Sequence, residues 1–347
     1  MSPRTSRPSD AHRPRRAPRA LAAVVAVASL LMAAGCAASS SAATGHASND
    51  GELVPLTVGA PWEGTSGKAP VATNAFGYAV AQGLADDILA KYGFSYEGFV
   101  GFNNGPPVVQ ALQTGDVQVG FIGDTPATQA RASGIDVRAI SIARPTSDIW
   151  FLGKEGGVSS LDELAGKKVG LQFGSNFDKY GRAALDRAGV GDKVEYINLL
   201  FSDALPALQR GEIDAVPLPA TVAGLWLAKN DFPILSKAGE DDPDLLATSV
   251  TLTSDEFAAK NPKITEAVWA VLQAGAKAIE ADHDKYAAWV EEANGQSADI
   301  VLAANLWRWA DERVDPEGLA TVQSTLQFLL DSGTATESFD VNAWVLP

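Results

Sequence analysis

Three short loops of this chain place small polar residues directly before a helical pattern. Helix N-termini carry unpaired N–H groups and a partial positive charge, so such loops suit an oxyanion. We predict ligand contacts from Asn104, Gly105, Gly123, Asp124, Thr125, Gly174, Ser175 and Asn176. Among these, Thr125 is expected to donate to the anion and Asp124 to select an amine. The alternative is that the side chains only cap their own helices.

Three further side chains near these loops have chemistry that suits an organic anion. Arg144 follows a strand pattern, and its guanidinium group can pair in bidentate fashion with a sulfonate or carboxylate. Its alternative role is an ion pair within the protein. Trp62, after the first strand, either stacks on the organic part of a ligand or packs in the core. Lys68, in the same glycine-rich loop, is interpreted as solvated.

The residue types needed for catalysis or metal binding are scarce. The chain has three histidines and one cysteine, Cys36. His46 lies in a region of small residues and His283 in a charged helical stretch, which does not favour a catalytic triad or a metal site. The phosphate-loop, dinucleotide and zinc-protease motifs are missing from the sequence. We therefore expect no enzymatic activity, no catalytic residue, no metal and no cofactor.

The N-terminal region has the layout of an export signal. Basic residues from Arg13 to Arg19 precede an apolar stretch, residues 21–34, that is too short to span a bilayer. Its end, Leu31-Met32-Ala33-Ala34-Gly35-Cys36, resembles the lipobox of bacterial lipoproteins, although Ala33 stands where that pattern usually has leucine. The resemblance implies a signal peptide over residues 1–35 and a lipid anchor on Cys36.

Residues 36–52 are then expected to form a flexible tether between the anchor and the folded part, because small polar residues dominate them. The alternative is an ordinary secretory signal that leaves a free thiol. Either export route, general secretory or twin-arginine, remains open.

Charge limits the partners of this chain. It carries 42 acidic and 27 basic residues, a formal net charge of −15. The leader holds six of the arginines and one aspartate, so the remainder is more acidic still. Nucleic acid and anionic lipid surfaces are therefore poor partners.

Short β-branched runs alternate with helical stretches from Leu53 onward, which favours βα units on largely parallel sheets. The predicted strands are Leu56 to Ala60, Val117 to Ile122, Val137 to Ile142, Lys168 to Phe173, Val194 to Leu199 and Ser249 to Thr253. The predicted helices are Phe76 to Ala90, Pro106 to Thr114, Pro126 to Ala132, Asn176 to Ala188 and Ser202 to Arg210. After Ser254 the pattern is helical only, and we interpret Trp269, Trp289, Trp307 and Trp309 there as packing residues.

A short sequence occurs twice. Ala111-Leu112-Gln113-Thr114-Gly115-Asp116-Val117 is echoed by Ala207-Leu208-Gln209-Arg210-Gly211-Glu212-Ile213. Each copy reads as a helix end, a glycine stop and the start of a strand. The repeat favours two lobes of similar build, although helix-to-strand turns often look alike.

Longer motifs resemble the solute-binding proteins of sulfonate, taurine and nitrate ABC importers. The similarity lies in the run from Gly105 to Asp116, in Gly123-Asp124-Thr125-Pro126-Ala127, in Ala130 to Val137, in Val158 to Val169 and in Phe173-Gly174-Ser175, and the helix Asp315 to Gln327 fits the same family. The resemblance implies an α/β, two-lobed type II periplasmic-binding fold with a ligand cleft and a helical C-terminal tail. It implies a first lobe of residues 53–152 and 245–347 and a second lobe of residues 153–244, with crossovers near Trp150 to Glu155 and Leu245 to Thr253.

The same resemblance implies a monomer that captures an aliphatic sulfonate or taurine-like anion by lobe closure and delivers it to a membrane permease with its ATPase. Where the family commonly has aromatic residues and Asp-Pro, this chain reads Asp214 to Thr221, so the second-lobe wall is altered and Thr221 becomes a candidate contact. Nitrate, a thiamine precursor or another small heterocycle therefore stay open as ligands. A desulfinase-like enzyme is disfavoured because it needs a cleft cysteine. A sensor lipoprotein that transports nothing is a third alternative.

Overall fold

The computed structural model describes residues 52–62 and 68–347, and the predicted signal peptide, Cys36 and nearly all of the tether lie outside these residues. The ten strands in the described part are β1 Val54–Pro61, β2 Phe94–Phe102, β3 Val119–Gly123, β4 Val137–Ile142, β5 Ile149–Gly153, β6 Lys168–Leu171, β7 Glu195–Asn198, β8 Ala215–Pro219, β9 Ile234–Lys237 and β10 Ser249–Ser254.

Fourteen α-helices alternate with these strands and then continue alone to the C-terminal end of the described residues. They are α1 Ala75–Ala81, α2 Ala85–Tyr92, α3 Gly105–Thr114, α4 Asp124–Ala132, α5 Asn176–Arg187, α6 Phe201–Arg210, α7 Ala220–Leu227, α8 Ala238–Asp241, α9 Asp255–Lys260, α10 Ile264–Ala281, α11 His283–Asn294, α12 Ala298–Ala304, α13 Pro316–Asp331 and α14 Val341–Trp344. No helix within the described residues is both long and apolar enough to cross a membrane.

The strands form two five-stranded sheets with the same internal order. The first is β2-β1-β3-β10-β4 and the second is β7-β6-β8-β5-β9. In each sheet the first three strands are parallel and the last two pairings are antiparallel. The fold is therefore a two-lobed α/β structure of the type II periplasmic-binding kind, with one sheet in each lobe and a cleft between them.

The echoed sequence occupies the same place in both lobes. Helix α3 ends at Gly115 with φ +79° and helix α6 ends at Gly211 with φ +69°, both left-handed caps that favour glycine. The strand that follows, β3 or β8, is the central strand of its sheet. The repeat therefore marks an architectural equivalence.

The chain passes between the lobes twice, and each passage leads into a strand, β5 or β10, that pairs antiparallel within the sheet it joins. Strand β5 pairs with β8 and β9 in the second sheet, and β10 returns to pair with β3 and β4 in the first. The first passage therefore lies between Ile142 and Ile149, ahead of the crossover expected at Trp150 to Glu155. The two passing segments meet at a bridge between Ser147 and Ala247.

The C-terminal helices cover the first lobe. Helix α10 packs across α1 and α2, and helix α13 packs on α4. Buried apolar side chains from these helices, including Val271 and Val322, complete two core clusters on the first sheet. Because the tail contributes to the first-lobe core, it is an integral part of that lobe.

Candidate functional site

A cavity of about 560 Å³ lies between the two lobes. Its wall is built from the carboxyl ends of strands β1, β3, β6 and β8 and from the helices that follow them, as expected for open α/β sheets. Nine of the eleven predicted ligand-contact residues line it: Trp62, Asn104, Gly105, Gly123, Arg144, Gly174, Ser175, Asn176 and Thr221. Asp124 and Thr125 do not.

The start of α3 offers few donors to a ligand. Pro106 and Pro107 follow Gly105 and have no N–H group, which suits the first turn of a helix. A Cβ on Gly105 would lie 2.6 Å from Cγ of Pro126, so glycine allows α3 and α4 to approach closely. The side chain of Asn104 makes no capping hydrogen bond, and its buried Oδ1 has no partner among the described residues. Asn104 therefore has an unpaired, buried acceptor beside the cleft wall.

Asp124, at the start of α4, is fully buried and bound to other protein groups. Its Oδ1 accepts from the Thr248 N–H at 3.0 Å, and its Oδ2 accepts from the Thr325 hydroxyl at 2.5 Å. The ammonium group of Lys179, from the second lobe, lies 3.5 Å from Oδ2 and donates to Thr325 at 2.6 Å. The prediction that Asp124 selects an amine therefore does not fit, because its carboxylate serves an interlobe network away from the cleft.

Thr125 is also buried, and a side chain from the other lobe accepts its N–H. Asn176 Oδ1 accepts from the Thr125 N–H at 3.0 Å, so the second lobe caps the first-lobe helix α4. The approach is close enough that a Cβ on Gly123 would lie 2.4 Å from Asn176 Nδ2. This structure therefore represents a state in which the two lobes are in contact beside the cleft.

The start of α5 combines a capped turn with free N–H groups. Ser175 is the N-cap: its hydroxyl accepts from the Asp178 N–H at 3.3 Å and donates to the Gln172 carbonyl at 2.5 Å. The N–H groups of Asn176 and Phe177 have no acceptor among the described residues, and both residues line the cleft. The start of α5 can therefore bind an anion through its backbone while Ser175 fixes the turn.

Arg144 lies at the cleft wall with its guanidinium group oriented by a carboxylate. Its Nε donates to Asp315 Oδ2 at 2.9 Å, and this hydrogen bond raises the pKa of Arg144. Asp315 is buried, whereas Arg144 is partly exposed. The two terminal guanidinium nitrogens have no partner among the described residues, so both the predicted ligand role and the ion-pair alternative are compatible with this geometry.

Sequence reasoning missed the contribution of the segment between α12 and α13. Asn305, Arg308 and Trp309 line the cleft, and the indole Nε1 of Trp309 is buried with no partner among the described residues. The Nε1 of Trp62 is likewise buried with no hydrogen-bond partner among the described residues. Trp307 has φ +48°, a left-handed conformation that is costly for a bulky residue. A tryptophan in a helical tail reads as packing, and the sequence contains no signal for the turn that directs Trp309 to the cleft.

The wall carries two arginines and one carboxylate among the described lining residues, Arg144, Arg308 and Asp148. Both arginines have a carboxylate partner: Arg144 pairs with Asp315 at 2.9 Å and Arg308 with Glu317 at 2.7 Å. Asp148 accepts from the N–H groups of Ile149 and Gly239 and from the Trp150 indole. These donors stabilise its ionised form, and the terminal guanidinium nitrogens of Arg144 leave the cleft with cationic donors for an anion.

The two remaining candidates differ in position. Thr221 lies in the first turn of α7 and lines the cleft from the second lobe, where the neighbouring Ala220 N–H donates to the Asp148 carbonyl at 3.0 Å. The Lys68 ammonium donates to carbonyls at the end of α11, Glu291 and Glu292, so it is a helix C-terminal partner.

Two lobes with equivalent sheets and a cleft at the strand ends define the class of periplasmic binding proteins. Within this class the chain belongs to the NMT1/THI5-like family, whose sequence model matches residues 100–285.

The chain is also similar to named relatives and to solved structures. A taurine-binding periplasmic protein of Escherichia coli is 27% identical over 196 residues, which cover 56% of this chain and 60% of that protein. The chain therefore aligns with less than two thirds of that relative. The periplasmic aliphatic sulphonate binding protein of Escherichia coli superposes with a TM-score of 0.68 at 20% identity, covering 84% of this chain and 92% of the other.

The fold is also shared by an enzyme. The desulfurization enzyme DSZB superposes with a TM-score of 0.64 at 18% identity, covering 85% of this chain and 96% of that one. Structural similarity at such low sequence identity establishes the fold only. What the cleft binds or does must be argued from the residues that line it.

Proposed function

We propose that this protein is the substrate-binding subunit of an ABC importer and captures a small organic anion, an aliphatic sulfonate or a taurine-like compound. The observation that carries the proposal is the interlobe cleft, where the terminal guanidinium nitrogens of Arg144 and the backbone N–H groups of Asn176 and Phe177 have no partner among the described residues. The names of the relatives support the same ligand class.

Capture follows from lobe closure. The cleft is lined by Arg144 from the first lobe and by Ser175 and Asn176 from the second. A ligand that contacts both walls binds the closed state better than the open state and shifts the population towards closure. A permease and its ATPase then recognise the closed, loaded monomer.

The protein is further proposed to act outside the cytoplasm and without catalysis. Its relative is a periplasmic protein. Cys36 is the single cysteine, and it belongs to the lipobox-like segment. Mass spectrometry of the N-terminal peptide is expected to show a lipid on Cys36 after cleavage of residues 1–35, and C36S abolishes it. A mature protein that starts elsewhere would contradict the anchor.

The ligand proposal is tested by calorimetric titration of the full-length chain with ethanesulfonate and taurine. We expect Arg144→Gln to weaken sulfonate binding by about tenfold or more, because hydrogen bonds to charged groups contribute on the order of 1.5–3 kcal/mol. Arg144→Lys keeps the positive charge beside Asp315 but lacks the planar guanidinium group. Its sulfonate affinity is therefore expected to lie between those of the wild type and Arg144→Gln.

A matched control is Arg131→Gln. Arg131 has the same side-chain exposure, 29% against 28%, but pairs with Asp136 and Asp255 outside the cleft. Equal affinity in the wild type and both Arg144 variants would remove Arg144 from the site. Thermal stabilisation by nitrate or a cationic heterocycle, with none by sulfonates, would overturn the ligand class.

A further inference from the structure

The cavity between the lobes continues into the first lobe among the C-terminal helices. Its wall there is formed by Leu272 and Ala276 of α10, Tyr286 and Val290 of α11, and Val301 and Ala304 of α12. We call the space among these six residues the helical chamber. It shares one continuous cavity with Arg144.

Each of the three helices turns one regular stripe towards the chamber. The lining positions are 269, 272, 273 and 276 on α10, 286, 290 and 294 on α11, and 301 and 304 on α12, so each has another lining position three or four residues away on its helix. This spacing puts the lining residues of a helix on one face. The chamber is therefore a built feature of the helix packing.

The wall of the chamber is mostly apolar, and five of its six residues belong to or pack against one hydrophobic cluster, while Leu272 and Ala276 are only partly buried. Tyr286 and Ala304 expose 7% of their surface, and Val290 and Val301 expose 2%. The Tyr286 hydroxyl already donates to the Thr73 carbonyl at 2.5 Å, so its ring faces its surroundings as an apolar group. The lining residues of α10, α11 and α12 include amides but no charged side chain.

Two lining positions of the chamber have small side chains, Ala276 and Ala304. A larger apolar side chain at either position would take up cavity space. An apolar wall of this kind favours an apolar guest, because water gains few hydrogen bonds there.

Arg144 of the first lobe and the start of α5 in the second lobe, at Asn176 and Phe177, line the interlobe part of the cavity. Arg308, which follows α12, also lines the cavity and pairs with Glu317. For a ligand amine the wall offers one carboxylate among the described lining residues, Asp148, which already accepts from three protein donors, while Asp124 is buried outside the wall. Taurine would also leave most of a cavity of about 560 Å³ to water.

We infer that the ligand is a sulfonate with a long uncharged apolar or aromatic body, which occupies the helical chamber while the anionic group stays between the lobes. This inference rests on the proposed function and narrows its substrate class. Taurine and the shortest alkanesulfonates use only the anionic part of the site.

The first test is a chain-length series on the full-length wild-type protein, by calorimetry with ethanesulfonate, butanesulfonate, hexanesulfonate, naphthalene-2-sulfonate and taurine. Each buried methylene group should tighten binding about three- to fourfold, so hexanesulfonate, with four more of them, is expected to bind on the order of 100-fold more tightly than ethanesulfonate. Taurine is expected to bind no more tightly than ethanesulfonate.

The second test fills the chamber. Ala276→Leu or Ala304→Leu is expected to weaken hexanesulfonate and naphthalene-2-sulfonate binding at least tenfold and to change ethanesulfonate binding less than about twofold. The matched control is Ala274→Leu, the same change on a partly buried position of α10 that does not line the cavity. It should leave the whole series unchanged.

The outcomes separate the two proposals. Sulfonates that bind with no dependence on chain length, or most tightly as taurine, overturn the chamber and leave the sulfonate importer intact. Equal losses for short and long ligands in the two filled variants also overturn it. If no sulfonate of any length binds the wild type, the proposed function falls and the chamber inference falls with it. The chain-length series needs no variant, so it stands even if Ala304→Leu does not fold.

Discussion

Two helix starts meet at the cleft, α4 in the first lobe and α5 in the second, and their sequences look alike. Each has a glycine, two small polar residues and a helical pattern. In the structure α4 has its N–H at Thr125 accepted by Asn176, and its acidic residue Asp124 is buried in a network. Helix α5 keeps the N–H groups of Asn176 and Phe177 free at the cleft. The difference shows that a helix start can bind a ligand only if no neighbouring protein group already accepts its N–H groups.

The largest expected effect comes from breaking the buried network at α4. Lys179→Met leaves the Asp124 carboxylate without its cation in a fully buried position. Removal of one partner of a buried pair typically costs about 3–5 kcal/mol, and we expect a loss of that order in the free energy of unfolding by urea titration.

Two comparisons control this prediction. The double variant Lys179→Met with Asp124→Asn should recover part of the loss, since no uncompensated charge remains. Lys260→Met breaks an exposed pair with Glu256 and should change stability by less than about 0.5 kcal/mol. A loss below about 1 kcal/mol for Lys179→Met would contradict a supporting role for the pair.

A smaller effect is expected when the two helix starts are forced apart. Gly123→Ala introduces a Cβ that would lie 2.4 Å from Asn176 Nδ2, so the lobes must separate at this contact. We expect a loss of about 1–3 kcal/mol in stability and a larger radius of gyration in solution scattering.

The rescue and the control for Gly123→Ala are available in the same chain. Adding Asn176→Gly removes the clashing side chain and should restore the compact scattering profile. Gly98→Ala adds a Cβ with no atom within 4 Å and should leave the profile unchanged. Unaltered scattering for Gly123→Ala would show that the contact does not hold the lobes together.

Adjacent residues at the start of α5 should separate a local cap from an interlobe contact. Ser175→Ala removes a cap within the second lobe and should cost about 1 kcal/mol with no change in the radius of gyration. Asn176→Ala removes the acceptor for Thr125, so it should cost a similar amount and enlarge the protein. Identical scattering profiles for Ser175→Ala and Asn176→Ala would show that Asn176 does not hold the two lobes together.

The smallest effect lies at the other end of α5. The hydrogen bond from Arg187 holds the pKa of Asp244 below its ordinary value. A depressed carboxyl pKa contributes stability above the unfolded pKa of about 3.9 and loses it as pH falls through the folded pKa. Because Asp244 is largely exposed, Asp244→Asn should cost less than about 1 kcal/mol at pH 7 and nothing in strong acid, as measured by thermal unfolding. A cost that persists at low pH would contradict this linkage.

The sequence predicted helices and strands well where the hydrophobic pattern ended at a glycine or another residue that stops the element. Strand β4 has the predicted bounds, and the echoed glycine stops end α3 and α6 as expected. The predicted helix from Phe76 to Ala90 is two helices, because Gly83 takes a left-handed turn between them. Local signals therefore suffice for elements whose ends are marked by backbone chemistry.

Strand β8 shows what local signals leave out. Pro217 and Pro219 argue against a strand, yet Pro217 pairs with Phe151 of β5 inside the second sheet. Strand β5 was missed as well. The pairing depends on chain return over more than sixty residues, which no short window contains.

The candidate site divides in the same way. Nine predicted contacts line the cleft because strand ends and helix starts can be read from the sequence. The partners of Asp124 come from three distant segments, at Lys179, Thr248 and Thr325. Trp309 reaches the cleft through an irregular segment. Neither arrangement leaves a pattern in the sequence.

The carboxylate of Asp315 both caps helix α13 and orients Arg144. Its Oδ1 accepts from the N–H groups of Glu317 and Gly318 at the beginning of α13, while its Oδ2 holds Arg144. Loss of the C-terminal helices would thus release the arginine as well as expose the core. A truncation that removes α13 together with Asp315 would therefore change the orientation of Arg144 at the cleft wall as well as the first-lobe core.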